Sequence, residues 1–211
     1  SIMIKILDYG MGNCGSIKNM LRYLGAEAEI VDQSVGLENS KAIILPGVGS
    51  YDHGVKHLEP FKAMLEQKVL HEKIPFLGIC LGMQLVLEKS EEGQLPGLGW
   101  IKGEVKRFDF SKLTSEQRHV IPHMGWNEIF PAESPEILQP LEADRRDRFY
   151  FVHSYHAADV PSENKLAICH YGYEFTCAIR KNNIFGVQFH PEKSHKFGKQ
   201  LFKQFIELIQ C

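Results

Sequence analysis

The stretch Pro75-Phe-Leu-Gly-Ile-Cys80-Leu-Gly-Met-Gln84 constrains the fold more than any other part of the chain. Phe76 to Ile79 is a short apolar run, the pattern of a strand buried on both faces of a parallel sheet. From Leu81 to Lys89 helix formers take over, with Leu81 and Leu85 one turn apart. A strand that passes straight into a helix leaves room for one sharp turn, and that turn holds Cys80 between Gly78 and Gly82. Small neighbours let the backbone bend and a second molecule approach, as in a nucleophile elbow. The dipole of the following helix favours a thiolate there. The same pattern by itself fits a buried core thiol, the usual fate of a free cysteine.

The flanking chain supplies the rest of a layered fold. Ile4–Leu7 reads as a strand and Ser16–Leu24 as a helix stopped by Gly25. Strands are expected at Glu29–Val31 and Ala42–Leu45, and helices at Tyr51–Leu58 and Phe61–His71. Strands alternating with helices mean βαβ units. After Gly93 the texture changes to short strand candidates: Trp100–Phe108, Asn127–Phe130, Phe149–Val152, Leu166–Tyr171, Phe175–Lys181 and Ile184–Gln188. Gly172-Tyr173 and Asn182-Asn183 supply turns, and Lys196–Leu208 closes the chain as an amphipathic helix. The expectation is one α/β domain over 1–211. Its sheet is open and mostly parallel, with helices on both faces and antiparallel strands added in the C-terminal half. With 211 residues and 44% hydrophobic content the chain can bury such a core. Ser1-Ile2, ahead of Met3, plays no part in this reading.

A formal net charge of −2 gives no electrostatic footprint for nucleic acid or an acidic membrane. No apolar stretch approaches the ~20 residues of a membrane span. The five cysteines, Cys14, Cys80, Cys169, Cys177 and Cys211, are odd in number and lack Cys-x-x-Cys spacing. Neither a disulfide framework nor a metal site is indicated, no cofactor is called for, and a reducing cytoplasm is the expected compartment.

Four stretches compete for chemistry. Gly10-Met-Gly12-Asn-Cys-Gly15, with Asp32 after the next strand, fits the dinucleotide fingerprint G-x-G-x-x-G; equally, such a turn serves tight strand-to-helix packing. Pro46-Gly47-Val48-Gly49 ends a parallel strand, where open α/β sheets place ligands. It is either a plain glycine loop or, with the N–H of Leu81, a two-donor oxyanion hole. Phe189-His190-Pro-Glu192 offers a base for a cysteine nucleophile and a carboxylate to orient it, or else a surface turn. Pro122–Asn127 and Tyr150–Tyr155 crowd polar and aromatic residues beside strands, as binding loops do. The pairs His53/His57 and His119/His123 have the spacing of weak metal candidates.

Together, Pro46–Gly49, the elbow around Cys80 and His190-Pro-Glu192 resemble the triad, or class I, glutamine amidotransferases over nearly the whole chain. Within that family, Asp8–Asn13, Pro122–Asn127, Phe151–Tyr155 and His190–Ser194 are similar to glutaminase subunits of imidazole glycerol phosphate synthase. The resemblance implies a flavodoxin-like sheet and hydrolysis of L-glutamine to glutamate and ammonia through a thioester on Cys80. His190 would serve as base and acid, and Glu192 as its orienting group. Val48, Gly49 and Leu81 would supply the oxyanion donors. Gly49, Gln84, His153, Ser154 and Tyr155 would hold the substrate. It further implies a heterodimer with a (β/α)8 cyclase of histidine biosynthesis, faced by Asn13, Met124, Trp126 and Lys193, which receives the ammonia and switches the glutaminase on. The start of the first helix, Asn13–Asn19, departs from the histidine-pathway pattern, and relatives also serve amidotransferases acting on surface sugars. An oxyanion donor is worth ~3 kcal/mol, so a partner that moves one amide of the Gly47–Gly49 loop would change the rate about a hundredfold.

Overall fold

The computed structural model describes residues 3–114 and 119–210; Ser1, Ile2 and Cys211 lie outside the described residues. The first half contains β1 (Met3–Leu7), α1 (Cys14–Tyr23), β2 (Glu27–Val31), β3 (Ala42–Leu45), α2 (Tyr51–Leu58), α3 (Lys62–Glu66), β4 (Phe76–Ile79) and α4 (Leu81–Val86). The strands β5 (Lys89–Ser90), β6 (Glu104–Arg107), β7 (His123–Glu128), β8 (Phe130–Pro131), β9 (Arg148–His153) and β10 (Tyr155–Ala158) follow. Then come β11 (Lys165–Tyr171), β12 (Tyr173–Lys181), β13 (Ile184–Val187) and α5 (His195–Gln210).

Alternation along the central strands divides the apolar residues between two cores. Ile44 and Leu77 face one side with Ile17 of α1 and Phe202 and Phe205 of α5. Ile43, Leu45 and Phe76 face the other with Tyr51, Leu65 and Leu85 from α2, α3 and α4. A strand that is apolar at every position is thus buried on both faces, as the sequence pattern requires. Among the described residues the main sheet has 11 strands, ordered β2-β1-β3-β4-β13-β12-β10-β6-β5, with β11 and β8 branching from β12. The run β2 to β13 is parallel; β12 and β10 continue it antiparallel.

Three departures from the sequence expectations are explained by the pairing of backbone groups. The helix after Cys80 ends at Val86, not Lys89. Its carbonyls are taken by a returning loop: Leu98 N–H donates to Leu85 O (2.7 Å), Trp100 N–H to Val86 O (3.0 Å) and Gly99 N–H to Leu87 O (3.1 Å). Those donors also take Trp100 out of the expected strand, which begins only at Glu104. The Phe61–His71 helix breaks into α3 and a π-helical turn, Gln67–His71, and Asn183 donates to the carbonyls of Val69 (2.8 Å) and Ile74 (2.7 Å). Third, Phe149–Val152 does not join the main sheet. β9 pairs with β7 in a separate antiparallel ribbon, from His123 opposite His153 to Glu128 opposite Arg148.

Candidate active site

Cys80 sits at φ 55° and ψ −111°, on the left-handed side of backbone space. A non-glycine residue there carries ~1–3 kcal/mol of strain and persists only when its surroundings impose it. Here Cys80 N–H donates to Val187 O (2.8 Å), and Gln84 N–H donates to Cys80 O (3.1 Å). The flanking glycines let α4 lie backbone against backbone on the sheet. A Cβ on Gly82 would stand 1.9 Å from Leu45 O, and one on Gly78 would stand 2.6 Å from Gly82 O.

The parallel pair β4–β13, with Gly78 opposite Gly186 and Ile79 opposite Val187, delivers the chain after β13 beside the elbow. His190 is then pinned through its backbone. Its N–H donates to Tyr150 O (2.9 Å), and its carbonyl accepts from the Ser194 hydroxyl (2.6 Å), which in turn accepts Tyr150 N–H (3.0 Å). The imidazole Nδ1 lies 2.7 Å from Glu192 Oε1, with both side chains almost fully buried. Burial opposes the imidazolium, but interactions with Cys80 and then Glu192 outweigh it and raise the His190 pKa to about 10. Although Cys80 is close enough to favour the charged ring, His190 Nε2 has no hydrogen-bond partner. It is free to exchange a proton with the sulfur or a substrate nitrogen.

The N–H groups of Leu81 and Val48, expected as oxyanion donors, are both engaged by backbone carbonyls. Leu81 N–H donates to Gly47 O (3.1 Å), and Val48 N–H donates to Met11 O. Tyr9 fixes the base of this loop by donating its hydroxyl to Pro46 O (2.7 Å). The cavity beside His190, lined by Asn13, Gly47, Val48 and Lys193 among others, measures about 20 Å³. That is room for about one water. Freeing Leu81 N–H requires rotation of the Gly47–Val48 peptide.

The Gly10–Gly15 turn supports that loop. Met11 O receives Val48 N–H, and a Cβ on Gly12 would lie 3.1 Å from the Pro46 ring. Asp32 is exposed beyond β2. Gln84 is buried, and its amide donates to Gln188 Oε1 (3.0 Å) and Tyr155 O (3.3 Å). Ser154 O accepts Phe108 N–H (3.1 Å), and Gly49 turns the loop at φ +122°. Of the weak metal pairs, the His119 ring packs on Phe110 and Tyr171, while His123 pairs with His153 (2.8 Å). Burial pushes the pKa of His123 down to about 4 and that of His153 to about 3. Asn13 and Lys193 are exposed, as are Val48 (50%), Met124 (61%) and Trp126 (43%).

Sequence reasoning missed Tyr9, Gln188 and Ser194. Gln188 is fully buried and donates to Cys80 Sγ (3.6 Å). The available signal was a polar residue closing an otherwise apolar strand, directly before Phe189-His190.

The family model for glutamine amidotransferase class-I matches residues 5–208. The imidazole glycerol phosphate synthase subunit HisH 2 of Methanococcus maripaludis is 46% identical over 207 residues, covering 97% of this chain and 99% of its own. Its namesake in Pseudomonas aeruginosa is 43% identical over 209 residues, covering 98% and 100%. Subunit HisH of Bdellovibrio bacteriovorus is 42% identical over 208 residues, covering 98% and 100%. Among solved structures, PurLQS from Thermotoga maritima superposes with a TM-score of 0.73 at 18% identity, covering 98% of each chain. A glutamine amidotransferase from the same organism gives 0.67 at 17%, covering 99% and 97%. At those identities the superpositions speak for the fold.

Proposed function

This chain belongs to the class I glutamine amidotransferases, and on that footing we propose that Cys80, His190 and Glu192 are its glutaminase triad. The chain is the glutaminase subunit of an imidazole glycerol phosphate synthase and acts in histidine biosynthesis. The observation that carries the triad is the buried His190–Glu192 pair beside a cysteine held at a left-handed elbow.

The Cys80 thiolate attacks the side-chain amide carbon of L-glutamine. The C=O electrons collapse to an oxyanion, which the N–H groups of Leu81 and the Val48–Gly49 loop receive once the Gly47–Val48 peptide has rotated. His190 Nε2–H protonates the departing nitrogen, the C–N bond breaks, and ammonia leaves a glutamyl thioester. His190 then takes a proton from water as the water attacks the thioester. Glutamate departs and the proton returns to the thiol. Glu192 keeps the ring oriented and stabilises its charged form. Gln84, Gly49 and the backbone of His153, Ser154 and Tyr155 hold the substrate.

The single domain, 1–211, forms a cytoplasmic heterodimer with a cyclase that consumes the ammonia. Support for the docking side comes from Met124 and Trp126, large apolar side chains that are exposed on β7. No helix among the described residues is long and apolar enough to cross a membrane.

The test is glutamate release from glutamine by wild type and Cys80→Ala, alone and with the cyclase and its ligand. A Cys80-dependent rate that rises steeply with the cyclase is expected. Cys80-dependent hydrolysis indifferent to the cyclase would move the chain to another synthase, such as a sugar amidotransferase. No glutamate from wild type, alone or with the cyclase, would overturn the reading.

A further inference from the structure

Behind the nucleophile lies a set of buried polar side chains that link the substrate-holding Gln84 to groups the reaction steps above leave unused. Gln188, His123, Gln84 and His153 are at most 7% exposed, in a region otherwise filled by Phe108, Phe151, Phe175 and Tyr171. Buried polar groups are costly unless paired, and here every link is made. Gln188 donates to Cys80 Sγ (3.6 Å), and Gln84 donates to both Gln188 Oε1 (3.0 Å) and Tyr155 O (3.3 Å). His153 Nδ1 lies 2.8 Å from the same carbonyl, His153 Nε2 lies 2.8 Å from His123 Nδ1, and His123 Nε2 meets the amide nitrogen of Asn127.

The direction of these bonds follows from their ends. A carbonyl oxygen only accepts, so His153 carries its proton on Nδ1. Its Nε2 is then an acceptor, which places the His123 proton on Nδ1 as well and leaves His123 Nε2 to accept from Asn127 Nδ2. Both rings therefore hold the Nδ1–H form, the tautomer that a free histidine side chain disfavours, and both must be neutral for the relay to stay closed. The far end lies on β7, whose side chains alternate in burial. His123 and Asn127 turn inward, whereas Met124 and Trp126 on the same strand face outward and are exposed.

We propose that Gln188, His153 and His123 are positioning residues for the nucleophile and the glutamine-holding Gln84, joined in one hydrogen-bonded relay from Cys80 Sγ to the β7 ribbon. The proposal rests on the glutaminase reading for what the relay serves, though not for its existence. Gln188 aims the sulfur and stabilises its thiolate, and the histidine pair fixes the Tyr155 carbonyl against which Gln84 is held.

Two measurements test it. Long-range ¹H–¹⁵N correlation spectra of the ¹⁵N-histidine-labelled chain at neutral pH should show two neutral Nδ1–H rings for His123 and His153. A proton on Nε2 of either ring overturns the relay. In the complex with the partner synthase, His123→Phe retains an aromatic ring between Phe151 and Tyr171 but deletes the link. It should lower kcat/KM for glutamine about tenfold, the scale of one buried hydrogen bond left unmade. Gln188→Met should lower kcat about tenfold or more with KM little changed, since its partner is a charged sulfur. The control is Phe205→Leu, a core substitution in α5 that lowers Tm while leaving kcat/KM within twofold. If His123→Phe stays within twofold of wild type, the relay does no positioning. A wild type that releases no Cys80-dependent glutamate sinks the glutaminase reading, while the tautomers still decide the relay.

Discussion

Replacing Glu192 by Gln isolates one of the two groups that hold His190 in its charged form. The amide keeps the size of the side chain and can still accept from Nδ1–H, so the geometry at 2.7 Å need not change. What changes is the strength of the bond. A hydrogen bond to a charged group is worth ~1.5–3 kcal/mol and a neutral one ~0.5–1.5, so roughly 1.4 kcal/mol is lost, about one pKa unit. Because thiol and imidazole share one proton, that loss tilts the pair from thiolate–imidazolium towards thiol–imidazole by about tenfold. The assay is iodoacetamide modification of the free chain from pH 5 to 9, with the labelled cysteine identified by mass spectrometry. Cys14 and Cys169 do not compete, because burial raises their pKa to about 11 and about 12. Burial likewise raises that of Cys177 well above its ordinary value. Wild type should label at Cys80. In Glu192→Gln the labelling rate at neutral pH should fall by up to about tenfold. A rate identical to wild type would refute the claim that Glu192 sustains the ion pair.

Three further outcomes follow from the same contacts. Gly47→Ala places a Cβ 2.2 Å from the Tyr9 hydroxyl; paired with Tyr9→Phe in a thermal-unfolding cycle it should show a coupling of ~0.5–3 kcal/mol, and additivity would refute the close contact. His123 and His153 have depressed folded pKa values, about 4 and about 3 against 6.5. The unfolded chain therefore binds more protons below pH 6.5, and their stabilisation is lost as pH falls towards 4; Tm should drop over that window, less steeply in His123→Phe. Trp126→Ala should weaken cyclase binding by ~2 kcal/mol, about thirtyfold, in a titration calorimeter, as expected for an exposed aromatic anchor.

The parallel half of the fold was legible because its central strands β3 and β4 are apolar at every position and its glycines mark the turns. The antiparallel half was less so. Nothing local in Tyr155–Ala158 announces β10, whose partners β6 and β12 come from distant parts of the chain. The C-terminal end of α4 was misread because the groups that stop it, the N–H donors of Leu98 to Trp100, arrive by a returning loop. In the site, Cys80, His190 and Glu192 could be singled out because nucleophile and base chemistry restricts residue type. Gln188 could not, since its importance is that of a contact to Cys80 across 108 positions. Likewise, spacing gives two oxyanion donors but says nothing about which way the Gly47–Val48 peptide faces.

The pairing of β4 with β13 has a consequence for how the molecule comes into being. It joins Phe76 to Ile184 and Ile79 to Val187, among the most sequence-distant contacts in the sheet. Closing so long a loop costs entropy before any contact repays it, and high contact order slows folding accordingly. During synthesis, Cys80 and its whole strand emerge from the ribosome long before the residues that activate the thiol. A nascent chain therefore carries an unactivated cysteine, and chemical competence arrives with the final strand-to-helix segment, in a single late step.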